Sequence, residues 1–284
     1  MNLDAPDSVV FEDLLGNMLT RHPMRVPILG TSETIREITP EILYTVHRAF
    51  YTPGNMILCV VGDVDPDRVA EIAGEILGTE KRSVGRKLRD WQEDMTVVAP
   101  ESRKVMEIAM PTFQLGFKCE DAGWGRESVR KEIVGDLAAE ALFGESSELY
   151  LDLYERGLID SSFGGGFETS EGVSMLFCGG DSDAPEAVRD AILAAAAKLA
   201  QTGVDEAVFL RMKRSALGRR IRDLDSFDST CFRVCANYMS KFEYFDFPGV
   251  YEEVTAEELR EFLARVIVPE RMSMSVIVPR EEEA

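Results

Sequence analysis

The chain has 284 residues, 45% of them hydrophobic and 29% charged, with a formal net charge of −20; a soluble globular chain of this length holds roughly one and a half to two cores. The acidic balance removes the basic face that phosphate contacts require, so neither nucleic acid nor an anionic membrane is expected as a partner. No apolar run approaches the ~18 residues of a membrane span, and Met1-Asn2-Leu3-Asp4 lacks the basic and apolar regions of a signal peptide.

In chain order, Val9, Val10, Phe11, Leu14, Leu15, Met18 and Leu19 trace a helical stripe, preceded by Asp4-Ala5-Pro6-Asp7 as cap and early proline. Arg21-His22-Pro23 ends this helix, and Pro27 to Thr31 reads as a loop. Thr39-Pro40-Glu41-Ile42 announces a second helix, running to about Phe50, with its cap at Thr39. Met56 to Asp63 reads as a short buried strand, and Asp65-Pro66-Asp67 caps a third helix from Arg68 to Leu77. Residues 79–94 are a polar, locally basic connector.

The second unit opens with strands around Lys104 to Met110 and Phe113 to Lys118. Helices follow from Ser128 to about Phe143 and from Ser146 to Arg156. The tract Phe163-Gly164-Gly165-Gly166-Phe167 lacks the Lys-Ser/Thr of a phosphate loop and opens no helix, so it reads as a strand approached closely by another backbone. Val173 to Cys178 is a further strand. Asp183-Ala184-Pro185-Glu186 starts an alanine-rich helix closed by Gly203, and Val204-Asp205 starts another reaching Arg222. Thr255 begins the last helix and Met272 to Pro279 the last strand.

Two blocks recur at a spacing of roughly 220 residues. Leu3-Asp4-Ala5-Pro6-Asp7-Ser8-Val9-Val10-Phe11 matches Leu224-Asp225-Ser226-Phe227-Asp228-Ser229-Thr230-Cys231-Phe232. The stretch from Ile38-Thr39 through Met56 to Val60 matches Val254-Thr255 through Met272 to Val276. The second copy has a long stretch ahead of its Leu-Asp block and the first has almost none, so the first copy reads as truncated. Helices on a largely antiparallel sheet, an α+β architecture, are expected in each.

No self-sufficient reaction centre can be read. The two histidines, His22 and His47, lie outside any H-x-x-E-H or H-E-x-x-H pattern, and G-x-S-x-G is absent. Asp4 with Asp7, and Asp225 with Asp228, stand at helix starts, where capping explains them. Cys231 and Cys235 are four apart with no histidine nearby, a poor zinc pattern. The five cysteines are an odd, scattered set, read as buried thiols in a reducing cytosol.

The run from His22-Pro23 through Pro27-Ile28-Leu29-Gly30-Thr31, Ile38-Thr39-Pro40-Glu41, Phe50-Tyr51-Thr52-Pro53-Gly54-Asn55-Met56 and Val60-Val61-Gly62-Asp63-Val64 resembles the end of the first domain of insulinase (pitrilysin) family zinc peptidases. Phe143-Gly144-Glu145-Ser146-Ser147-Glu148-Leu149-Tyr150, Leu153 to Asp160 and Gly179-Gly180-Asp181 resemble the second domain. They are closest to the bacterial branch associated with elongation-factor-P modification.

The resemblance implies a mitochondrial-processing-peptidase-like metallohydrolase fold, duplicated, with residues 1–80 the remnant of a metal-bearing first domain, 81–96 a linker and 97–284 a non-metal companion domain. It also implies a zinc endopeptidase whose H-x-x-E-H motif and further glutamate ligand lie outside this sequence. Active relatives carry, in the second domain, an arginine and a tyrosine seven residues on; the corresponding positions here are Leu153 and Asp160, with Arg156 close by. The expected role is therefore the C-terminal portion of such a peptidase, contributing wall to a peptide chamber and inactive alone. No catalytic or metal residue is assigned in this chain, and substrate-binding residues are left open. The alternative is a non-catalytic partner subunit or scaffold of a peptidase or modification complex. Expected partners are a peptide substrate and either a second copy or a zinc-bearing half, because the stripe through Val9, Leu14 and Met18 and the strand Ile57 to Val61 would lack neighbours.

Overall fold

A computed structural model describes residues 4–77, 92–170 and 172–280; the connector at 79–94 falls mostly outside them. The front part holds α1 (Pro6–Met18), α2 (Ser32–Arg36), α3 (Pro40–Phe50) and α4 (Pro66–Leu77). The rear part runs β1 (Glu101–Met106), β2 (Thr112–Cys119), α5 (Gly125–Phe143), α6 (Glu148–Glu155), β3 (Gly164–Ser170) and β4 (Val173–Asp181). It continues with α7 (Pro185–Thr202), α8 (Glu206–Arg222), α9 (Phe227–Met239), α10 (Phe247–Glu253), α11 (Ala256–Val266) and β5 (Met272–Pro279).

The five strands form one sheet in the order β1-β5-β2-β4-β3. Only the β1–β5 pair is parallel; β5–β2, β2–β4 and β4–β3 are antiparallel. Alternation along the central strands sorts their side chains to two faces. Phe113, Leu115 and Phe117 of β2, Leu176 and Cys178 of β4, and Met274 and Val276 of β5 pack with α5, α7 and α11 into the main core. The glycine tract is a strand, as expected: a Cβ on Gly165 would sit 2.6 Å from the Phe177 carbonyl oxygen.

The opposite face is covered by α1. Leu14, Leu15 and Met18 pack with Val173 and Met175, and Val9 and Val10 pack with Ile277. Gly116 of β2 permits this approach, because a Cβ there would lie 2.6 Å from the Met18 Sδ. The expectation that Val9, Leu14 and Met18 lack neighbours is thus wrong. The stripe is buried, and its partner is the sheet of the rear part.

A polar knot fixes the end of this helix. The Glu93 carboxylate accepts hydrogen bonds from the backbone N–H groups of Thr20, Arg21 and His22. Lys118, fully buried on the same face of β2, donates to the carbonyls of Asp94 at 2.8 Å and Thr96 at 3.1 Å and lies 3.4 Å from Glu93. Burial works against charge on both groups. For Glu93 the three N–H groups and Lys118 outweigh it and hold the carboxyl below its usual range, whereas desolvation wins at Lys118 and lowers the ammonium's pKa. The carboxylate is therefore the anchor of the pair.

The sequence repeat has a geometric counterpart. Thr39 caps α3 and Thr255 caps α11 through their side chains. Each helix ends in the same unusual conformation, φ −89° and ψ 67° at Tyr51 and φ −86° and ψ 78° at Ile267. A short 3-10 turn follows in both, at Pro53–Asn55 and Pro269–Arg271. The chain then extends. From Met272 it becomes β5, flanked on both sides; from Met56 it finds no ladder partner among the described residues. The expected strand at Met56 to Asp63 is therefore not formed here, and Leu58 and Val60 are exposed. The repeat extends to the helices. As α1 lies against β5, α9 lies against the extended segment, with Cys231 Sγ 3.8 Å from the Cys59 carbonyl. Phe227, Phe232 and Tyr238 of α9 remain exposed, whereas α1 is covered.

Candidate functional site

A concavity of about 930 Å³ opens between α5, α8, the start of β3, the middle of α9 and the end of α10. Its acidic wall follows from helical spacing: Glu132, Asp136 and Glu140 lie four apart on α5 and so share a face. The opposing wall is Arg219, Arg220 and Arg222 at the end of α8, joined by Arg233 of α9. The basic end of α8 also complements the partial negative charge of a helix C-terminus.

Arg220 is the pivot of this wall, with 5% of its side chain exposed. Its guanidinium sits over the rings of Tyr244 and Phe247, 5.5 Å and 5.1 Å from their centroids, and Nη1 is 3.6 Å from Glu132. Arg219 reaches Glu140 at 3.5 Å and Arg233 reaches Asp223 at 3.6 Å. Asp136 is exposed toward the cavity, yet the surrounding walls desolvate it. That desolvation, followed by the Glu132 carboxylate, raises its carboxyl to about 7 against the opposing pull of the arginines. The side chain is open to solvent, so the shift concerns local protonation more than global stability. The third wall is Gly164 to Gly166 of β3, the edge strand of the sheet. Facing acids and guanidinium groups beside an edge strand suit contact with polar main chain. The walls present no nucleophile hydrogen-bonded to a base.

The positions singled out in the sequence lie elsewhere. Leu153 is wholly buried in the main core, and Asp160 is exposed and accepts a hydrogen bond from the Ser162 N–H at 2.7 Å. Arg156 pairs with Asp152 at 2.8 Å on the surface of α6. His22 is buried, its Nδ1 accepting from Met24 N–H at 3.3 Å, and His47 stacks on Tyr51 with centroids 4.9 Å apart. Ser226, not Asp225, caps α9, and Ala5 at the start of α1 makes no side-chain cap. The α5–α8 ion-pair ladder went unread, although the four-residue spacing of Glu132, Asp136 and Glu140 and the run Arg219-Arg220 are visible in the chain.

The sequence profile of the peptidase M16 inactive domain matches residues 37–216, well over half of the chain. The chain belongs to the peptidase M16 inactive-domain family. Among its M16 relatives, the uncharacterized zinc protease YmfH of Bacillus subtilis (strain 168) is 29% identical over 282 residues, 98% of this chain. The chain spans 65% of the length of that relative. A crystal structure of an M16-like peptidase from Alicyclobacillus acidocaldarius superposes with a TM-score of 0.90 at 25% identity, over 99% of this chain and 67% of that one. A peptidase M16 inactive domain from Pseudomonas fluorescens shares the fold, with a TM-score of 0.83 at 17% identity over 100% of this chain and 68% of that one. The M16 assignment agrees with the insulinase-type resemblance, and the fold agrees with the expected α+β architecture. No helix among the described residues is long and apolar enough to cross a membrane.

The relatives' names imply zinc, and the described residues do not fit it. They contain no group of three or more His, Cys, Asp or Glu side chains set to hold a metal ion. The acids of α5 face arginines that already supply their positive charge. His22 and His47 are each engaged in local contacts away from that set.

Proposed function

We propose that this chain acts as the rear, non-metal portion of a bilobed M16 peptidase, furnishing wall to a chamber that admits peptides and no catalytic group of its own. On this reading residues 1–80 belong to the front lobe, 81–96 link the lobes, and 97–284 form the companion lobe. The protein is placed in the cytoplasm, in keeping with the free thiols of all five cysteines. The observation that carries the proposal is the mirrored packing of α1 and α9. Helix α1 closes on a complete sheet, while α9 and the segment from Met56 to Val61 repeat that arrangement with no flanking strands described. A front-lobe sheet pairing with that segment would supply strands on both of its edges and cover Phe227, Phe232 and Tyr238.

Two further features support a wall role. The position expected to offer an arginine to substrate is Leu153, which the core has absorbed, and the position expected to offer a tyrosine is Asp160, whose charge repels an oxyanion. The test is metal analysis and peptidase assay of the purified chain, alone and mixed with the part of YmfH that it does not span. The chain alone is expected to carry no stoichiometric zinc and to cleave no unfolded peptide, and the mixture to cleave. One tightly bound zinc per chain, or cleavage by the chain alone that a chelator abolishes, would overturn the reading.

A further inference from the structure

Three of the five cysteines gather where the extended segment meets α9. Cys59 lies in the segment, Cys231 in the second turn of α9 and Cys235 one helical turn further on. All three are partly exposed, unlike Cys119 and Cys178, which the core encloses. This differs from the expectation that the cysteines are simply buried thiols. Cys231 Sγ stands 3.8 Å from the Cys59 carbonyl oxygen, and the Cys59 thiol is among the neighbours that raise the Cys231 pKa.

The internal repeat explains the encounter. Cys59 occupies the place of Ser275, and Cys231 the place of Val10. In the rear copy Ser275 and Ile277 lie on the α1 side of β5, where Val10 packs against Ile277 and Ser275 meets the Ser102 and Asn17 hydrogen-bond chain. Side chains alternate along extended backbone, so Cys59 is presented to α9 as Ser275 is to α1. A disulfide needs Cβ atoms about 3.5–4.5 Å apart, a separation set by the backbones of the two facing elements, while a rotamer change at a partly exposed pair swings the Sγ atoms toward one another.

We infer that Cys59 and Cys231 form a reversible disulfide that pins the extended segment to α9 when the chain meets an oxidised low-molecular-weight disulfide. One thiolate attacks a sulfur of the small disulfide, whose S–S bond breaks; one small thiol leaves with the electron pair and takes up a proton. The second protein thiolate then attacks the protein sulfur of the mixed disulfide, and the second small thiol departs. Two protein thiols are oxidised and one small disulfide is reduced to two thiols. Desolvation, then the neighbouring Cys59 thiol, raises the Cys231 pKa, so the cross-link forms faster as pH rises. The link joins residues 172 apart in sequence, from front part to rear part, and it stands independently of the peptidase reading.

The test is incubation of the full chain with oxidised or reduced glutathione, followed by thiol titration and non-reduced peptide mapping. The titre is expected to fall by two from the five cysteines, with one cross-linked peptide pair carrying Cys59 and Cys231, reversible by dithiothreitol. C59S and C231S should each abolish the pair and C235S should retain it, with all three variants melting as the parent does. A Cys231–Cys235 link, glutathione adducts alone, a link between chains, or an unchanged titre would overturn the inference.

Discussion

At the residue scale, the side chains that matter most to the integrity of the chain are those joining its front to its rear. Glu93 and Lys118 are both nearly inaccessible, with 2% and 0% of their side chains exposed. Between them they satisfy three backbone donors and two backbone acceptors. Glu93→Ala would leave a buried ammonium and three N–H groups without their carboxylate, at a cost of roughly 3 kcal/mol, read from the urea midpoint. The pH dependence follows from the depressed Glu93 pKa. Its stabilisation is fully present above the ordinary glutamate value of 4.5 and is lost as pH falls through the lower folded value. The variant's stability should therefore fall less steeply than the parent's as pH drops from the ordinary value through the lower folded one. A parallel fall in both would refute the role given to this carboxylate. Nothing in the sequence announces the knot, because Glu93 and Lys118 meet only through the register of β2 and the path of the chain after α1.

At the scale of elements, two helices of equal length and related sequence have opposite fates. Leu14 of α1 is fully buried on the sheet, whereas Phe232 of α9 is 74% exposed. Leu14→Ala should cost about 3 kcal/mol through lost burial and the cavity left behind. Phe232→Ser should change stability by less than ~0.5 kcal/mol, read from the urea midpoint. Equal destabilisation by the two would mean that α9 is covered in solution.

The same pair shows what could be read in advance. Helix starts with Thr, Asp and Pro signals, at Thr39-Pro40, Asp65-Pro66, Asp205 and Thr255, were legible because a cap is a local hydrogen bond written in adjacent residues. The central strands were legible from their apolar runs. Helix α10 was not, because Pro248 and Gly249 stand within its seven residues. The stretch from Met56 reads as a strand because its composition suits one, yet pairing is a property of neighbours, and among the described residues no strand lies beside it. The cavity was only half legible. Periodicity gives the face of α5 but not which helix opposes it.

At the scale of the whole molecule, the described residues form one α+β lobe around a five-stranded sheet, preceded by a front part of helices and an extended segment. The rear sheet has both faces covered and its ladder complete between β1 and β3. The front part repeats the closing helix, turn and extended segment of that lobe with an unpaired extended stretch. Amide hydrogen exchange tests this most directly. In the chain alone, amides from Ile57 to Val61 are expected to exchange as in an unstructured peptide while those from Met274 to Ile277 stay protected. The Ile57 to Val61 amides should slow when the part of YmfH that the chain does not span is added. Equal protection of the two segments in the chain alone would contradict the account.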